Sequence, residues 1–215
     1  MNGRFIVLEG VDGCGSTTQT RHVVEALRER GYDARPTFEP SDGPVGLLIR
    51  QALEKRLTSV DGSPRRFEWA TLALAFAADR LDHVTSFVEP ALREGAIVVS
   101  DRYTLSSIVY QSVTAPPSVA DAVSWIENLN RAARIPDLTL VLDVSLEVAA
   151  ERRKARGGPE ELFDAMSTQA RLTRAYAAAE TLAPSQRIVH VSGEGSADEV
   201  TARLLAAITS VLPAR

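Results

Sequence analysis

Short, continuous apolar runs punctuate the chain and alternate with segments of helical period. Phe5-Ile6-Val7-Leu8 has no polar alternation and ends in Glu9-Gly10, which predicts a strand covered on both faces. Ala34–Phe38, Ile97–Val99 (followed by Ser100-Asp101), Leu138–Asp143 and Arg187–Val191 read as four more strands. Between them, a helix with Val23, Val24 and Leu27 stops at Gly31, and Val45, Leu48, Ile49, Ala52 and Leu53 recur at helical spacing. A long helical pattern runs from Pro64 to about Arg93, closed by Gly95. Further helices are predicted over Leu105–Val113, from a Ser118 cap to about Ala133, and over Leu146–Arg156, Glu161–Glu180 and Ala197–Leu212. Strands alternating with helices imply crossover connections and a parallel sheet. The expected fold is one α/β unit over residues 1–215, a five-stranded parallel sheet with helices on both faces.

Composition narrows the function classes. The chain has 215 residues, 45% hydrophobic and 24% charged, ordinary values for a globular core. A net charge of −4 supplies no general basic field, so nucleic acid is not expected as a partner. The longest apolar-rich run, Trp69–Ala78, is about half the length that spans a bilayer, so no membrane partner is expected. With no secretory pattern before the first strand, the expected location is cytoplasmic. Cys14 is the single cysteine, which excludes an intrachain disulfide, and His22, His83 and His190 lack metal or triad spacing.

The chemistry begins after the first strand. Gly10-Val11-Asp12-Gly13-Cys14-Gly15-Ser16-Thr17 has the spacing of a phosphate-binding loop that opens a helix. Its glycines let backbone N–H groups curl around an anion, and Thr17 offers a hydroxyl to Mg²⁺. The seventh position is Ser16, where such loops carry lysine. A charge 4 Å from a phosphate oxygen contributes ~4 kcal/mol near a protein surface, so other cations must compensate or chemistry is slow. Arg152, Arg153, Lys154 and Arg156 form a basic cluster before Gly157-Gly158-Pro159, in a region of about 147–162 that reads as a closing lid. Phe76 and Arg80, four apart, share one helix face, a ring and a guanidinium. Asp101 ends a buried strand at the edge where open α/β sheets bind ligands, and Arg102 beside it suits phosphate.

Several stretches together resemble the bacterial thymidylate kinases, a family of P-loop nucleoside monophosphate kinases. They are Glu9–Gly13 with Thr17-Thr18-Gln19, Thr37-Phe38-Glu39-Pro40, Phe76–Arg80, Asp101-Arg102-Tyr103 with Ser107 and Tyr110-Gln111, and Pro136–Val144 with the Arg152–Arg156 cluster. The resemblance implies transfer of the γ-phosphoryl group of Mg-ATP to dTMP, giving dTDP, on a homodimer. It implies that the loop from Gly10 to Thr18, with Arg152, holds ATP, and that Asp12 faces the sugar hydroxyl or the metal region. Phe76 would stack on thymine, Arg80 would grip the acceptor phosphate, and Glu39, Ser107, Tyr110 and Gln111 would line the acceptor pocket. Arg102 would bridge donor and acceptor phosphates, with Asp101 and Thr17 on the metal and Arg153 and Arg156 acting in catalysis. Three departures stand out: Ser16, Phe38 where relatives carry arginine, and Pro159-Glu160-Glu161 in the basic region. A kinase for another nucleoside monophosphate, or a nucleotide-binding protein without turnover, are the alternative readings.

Overall fold

A computed structural model describes residues 3–157 and 165–212 of the chain. Five strands, β1 (Arg4–Glu9), β2 (Ala34–Phe38), β3 (Ile97–Asp101), β4 (Leu138–Asp143) and β5 (Ile188–Ser192), form one sheet in the order β2-β3-β1-β4-β5. Every pairing is parallel, with Leu8 opposite Asp101 on one side and Leu140 on the other. The order reverses at β1, so the loop after β1 opens at the switch point where the carboxyl ends of the strands diverge.

The apolar runs are continuous because helices cover both faces. Ile6 and Leu8 pack into a large core with Val23 and Leu27 of α1 (Ser16–Glu29), Leu105 and Val109 of α5 (Thr104–Thr114) and Leu204 of α10 (Ala197–Ile208). Phe5, Val7 and Val98 point the other way, onto Val84, Val88 and Leu92. Between α1 and α5 lie α2 (Pro44–Leu53), α3 (Trp69–His83) and α4 (Glu89–Arg93), with α6 (Ala122–Asn130), α7 (Leu146–Arg156), α8 (Met166–Tyr176) and α9 (Ala179–Leu182) following.

Some predicted boundaries shift for local reasons. The long helix starts at Trp69 rather than Pro64, because residues 58–64 close a small antiparallel turn, with Ser59 N donating to Ser63 O and Asp61 accepting from Ser63 N and Oγ. It also passes through a π-helical turn at Val84–Val88 before α4. Asp121, not Ser118, caps α6, its carboxylate accepting from Ser124 N. The helix predicted over 161–180 is α8 and α9 among the described residues, and its first turn lies outside them.

Candidate active site

The loop after β1 carries Gly13 at φ 90°, where a Cβ would stand 2.4 Å from the Ala149 carbonyl of α7, so only glycine lets the loop lie against that helix. Gly15, at φ 96°, is the left-handed cap that opens α1. Gly13, Cys14, Gly15, Ser16, Thr17 and Thr18, with Asp12, Arg102, Arg152 and Arg153, line a cavity of about 910 Å³. Gly10 and Val11 lie behind its wall, Val11 in the core and Gly10 as a carbonyl acceptor for Arg102 Nη1 at 2.9 Å.

Two arginines of α7 reach this loop. Arg152 Nη1 donates to Cys14 O and Gly193 O, both at 3.1 Å, and stands 3.7 Å from where a Cβ on Gly15 would lie. Arg153 Nη1 donates to Asp12 O at 2.6 Å. Arg156 closes α7, but its side chain and the continuation through Pro159-Glu160-Glu161 lie outside the described residues. Ser16 is buried at the first position of α1. Burial pushes the Cys14 thiol up, against the pull of the Arg102 charge, so the thiol is protonated filler rather than a redox-sensitive thiolate.

A second cavity, about 160 Å³, opens beside the first. Asp12, Glu39, Phe76, Arg80, Arg102, Ser107, Tyr110 and Gln111 all line it, although the chain brings them from five separate segments. Asp12 and Arg102 belong to both cavities. Gln111 is buried, and neither its amide nitrogen nor its amide oxygen has a hydrogen-bond partner among the described residues. An unmet donor and acceptor side by side on one group are costly without a ligand, at ~1–3 kcal/mol each.

Arg80 differs from the open guanidinium its motif suggested. It is 1% exposed, donating from Nε to Glu39 Oε2 at 2.9 Å and from Nη2 to Tyr103 O and Ser107 Oγ, with Nη1 on Asn130 Oδ1. Glu39 therefore balances its charge inside the wall, and Glu39 Oε1 also meets His83 Nδ1 at 3.1 Å. Asp79 beside it accepts from Ser41 N and Oγ, so the Phe76–Arg80 helix turn ties down the loop that follows β2. The three histidines stay outside any metal cluster among the described residues.

A half-buried cation common to both cavities is Arg102, its side chain 20% accessible and its backbone in the left-handed region at φ 69°. A non-glycine residue held there costs roughly 1–2 kcal/mol and turns the chain sharply at the end of β3. Its Nη2 meets Asp12 Oδ1 at 2.7 Å, while Nη1 donates to Ser106 Oγ and Tyr176 OH. Burial works against its charge, but Tyr110, Asp12, Tyr176 and Asp101 outweigh it and hold the guanidinium protonated. Beneath it, the buried carboxylate of Glu9 accepts from Tyr103 N, Ser106 N, Ser106 Oγ and Tyr176 OH. Desolvation raises the Glu9 pKa, against the lowering by Arg102, Ser106 and the Tyr103 N–H.

The metal expectation meets a fitting donor set. Thr17 Oγ1 donates to Asp101 Oδ2, and Asp101 Oδ1 is buried with no partner among the described residues. A hydroxyl and an unmet carboxylate oxygen are hard ligands of the kind Mg²⁺ takes, with phosphate oxygens and water completing its shell.

The sequence reading did not single out Ser106, Asn130, Gln169 or Tyr176. The polar residues Ser106, Asn130 and Gln169 stand on faces that a helical pattern alone assigns to solvent or core without distinction.

A family model described as thymidylate kinase matches residues 8–204. A protein named "Probable thymidylate kinase" from Pyrococcus abyssi is 36% identical over 208 residues, 97% of each chain. One of the same name from Pyrococcus horikoshii is 37% identical over 88% of this chain and 89% of its own length. One from Methanococcus maripaludis is 42% identical over 80% of this chain and 75% of its own length. These relatives are archaeal; they support the family and not the narrower bacterial resemblance. With the family model matched over residues 8–204 and a relative 36% identical over 97% of each chain, the chain belongs to the thymidylate kinase family.

Proposed function

We propose that the protein transfers the γ-phosphoryl group of ATP to dTMP, giving ADP and dTDP. A phosphate oxygen of dTMP attacks the γ-phosphorus, and the bond to the bridging β-phosphate oxygen breaks in line with it. The observation that carries this reading is the second cavity, where a half-buried Phe76 ring and the unmatched Gln111 amide share one wall. A carboxamide presenting one donor and one acceptor complements the adjacent N3–H and O4 of thymine, and the ring covers its face.

The loop at Gly13–Thr18 and Arg152 would take the ATP phosphates in the larger cavity. Thr17 and Asp101 would hold Mg²⁺, which supplies charge neutralisation to the phosphates when bound. Arg102, shared by both cavities, would span donor and acceptor phosphates, and Asp12 would release it toward them or face the acceptor sugar. Arg80, balanced by Glu39, would shape the acceptor wall with Ser107 and stand at the edge of the base or phosphate. Tyr110, under the Arg102 guanidinium at 5.1 Å, would close the floor. Arg153, and Arg156 on the same helix, would add positive charge to the transferred group. Phosphoryl transfer asks chiefly for positioning and charge neutralisation, so arginines can stand in for the absent lysine.

A homodimer forms part of this reading. Leu74 and Leu81, seven apart on α3, are 51% and 38% exposed, an apolar strip that a second copy would cover. No helix among the described residues is long and apolar enough to cross a membrane.

The test is ADP release from ATP and Mg²⁺ with dTMP, beside dUMP, dCMP, dAMP and dGMP. Turnover selective for dTMP is expected. Turnover preferring another monophosphate would assign a different acceptor, and dTMP binding without turnover would leave a nucleotide-binding protein. Light scattering of the eluted protein tests the dimer.

A further inference from the structure

Gln169 of α8 is fully buried, at 0% exposure, although it is a polar side chain far from the phosphate loop in sequence. Its Oε1 accepts from Arg153 Nη1 at 3.3 Å, and its Nε2 donates to Asp12 Oδ2 at 3.3 Å. The amide orientation is fixed by charge: reversed, its NH₂ would face the guanidinium and its oxygen the carboxylate. Gln169 thus lies between the cation of α7 and the acid of the phosphate loop, satisfying both with one neutral group.

Asp12 is then held on two sides. Its Oδ1 meets Arg102 and its Oδ2 meets Gln169, while its carbonyl accepts from Arg153. On the same helix, seven residues along, Tyr176 OH contacts Arg102 Nη1 at 3.3 Å and Glu9 Oε2 at 3.1 Å. Seven residues are two helical turns, so Gln169 and Tyr176 share the face of α8 that backs the centre.

We infer that Gln169 is a positioning residue that sets the Arg153 guanidinium and the Asp12 carboxylate in register with the phosphate loop. The inference rests on the reading above, in which those two groups serve phosphoryl transfer. A carboxylate at 169 would also accept from Arg153 but would repel Asp12; an apolar side chain would leave Asp12 to Arg102 and Arg153 to the Asp12 carbonyl. Either change displaces charges by a fraction of an ångström to an ångström, a shift worth up to about a hundredfold in rate.

The experiment is steady-state kinetics and thermal unfolding of the full chain with Gln169→Leu, Gln169→Glu, Arg153→Ala and the double variant Gln169→Leu/Arg153→Ala. Gln169→Leu and Gln169→Glu should each lower kcat about tenfold to a hundredfold, with KM for ATP and dTMP within about threefold. In the Arg153→Ala background, Gln169→Leu should lower kcat at least threefold less than it does in the wild type, since one of the two groups it acts through is gone. A full additive loss in the double variant, or an unchanged kcat in both single variants, overturns the inference while wild-type turnover keeps the kinase reading. Absence of wild-type turnover with dTMP counts against the reading itself. Should Gln169→Leu fail to fold, the Gln169→Glu profile decides, with an unchanged kcat overturning the inference.

Discussion

Arg102 and Asp12, 90 residues apart in sequence, meet at 2.7 Å on the wall common to both cavities. Each carries a charge that the other neutralises, so the cation best placed for phosphate is already paired with an anion of the phosphate loop. Exchange of that carboxylate for phosphate oxygens keeps the guanidinium satisfied at every stage. Lysine could not reproduce this, because Nη1 and Nη2 serve Gly10, Ser106, Tyr176 and Asp12 at once from one planar fork. Arg102→Lys should therefore lower kcat roughly a hundredfold, in the range for losing one aligned transition-state donor. Thermal unfolding should shift by only a few degrees, and kinetics within tenfold of wild type would show that point charge suffices.

On the proposed reading Arg152 would stand in for the loop lysine, its guanidinium lying against the Cys14 and Gly193 carbonyls. Arg152→Ala should raise KM for ATP about tenfold or more, since a hydrogen bond to a charged group is worth roughly 1.5–3 kcal/mol. Ser16→Lys would place a second cation beside the first, and turnover should change less than tenfold. A rise of orders of magnitude would mean that Ser16 is a handicap and Arg152 no substitute.

Gln111 couples stability to function in opposite directions. Its amide is buried without partners among the described residues, so Gln111→Leu should stabilise the ligand-free protein by about 1 kcal/mol in urea unfolding. The same change should raise KM for dTMP at least tenfold, because the base edge loses its donor and acceptor. A variant that is both less stable and undiminished in dTMP affinity would contradict this role.

His190 links stability to pH. Burial lowers its pKa, but hydrogen bonds and charge from Asp143 at 2.9 Å and from Glu180 outweigh burial, and the net shift is upward. A histidine whose folded pKa exceeds its unfolded value near 6.5 contributes fully below that value. The contribution disappears as pH rises through the folded pKa. All three side chains are partly solvated, which limits it to a few tenths of a kcal/mol. Wild type should lose more stability between pH 5.5 and 8.5 than His190→Gln, by urea unfolding at both pH values. Parallel losses would remove His190 from the linkage.

The sequence by itself determined the strands and the phosphate loop. Runs such as Phe5–Leu8 and Ile97–Val99 have no polar alternation, and only a sheet covered on both faces gives such runs a place. Glycines at 13 and 15 were readable because a tight anion loop takes a left-handed backbone at both positions and leaves no room for a Cβ at 13. The eight residues that the family resemblance assigned to the acceptor pocket converge on one cavity. Only the tertiary structure decided which charges are open and which are spent. Arg80 and Arg102 look alike in sequence, yet one is sealed against Glu39 and the other stands at the junction of two cavities. Likewise Gln169 and Asp12 lie 157 residues apart, and no local period reports such a pair. Hydrogen bonds depend on positions to within a few tenths of an ångström, whereas the hydrophobic pattern fixes only which face turns inward.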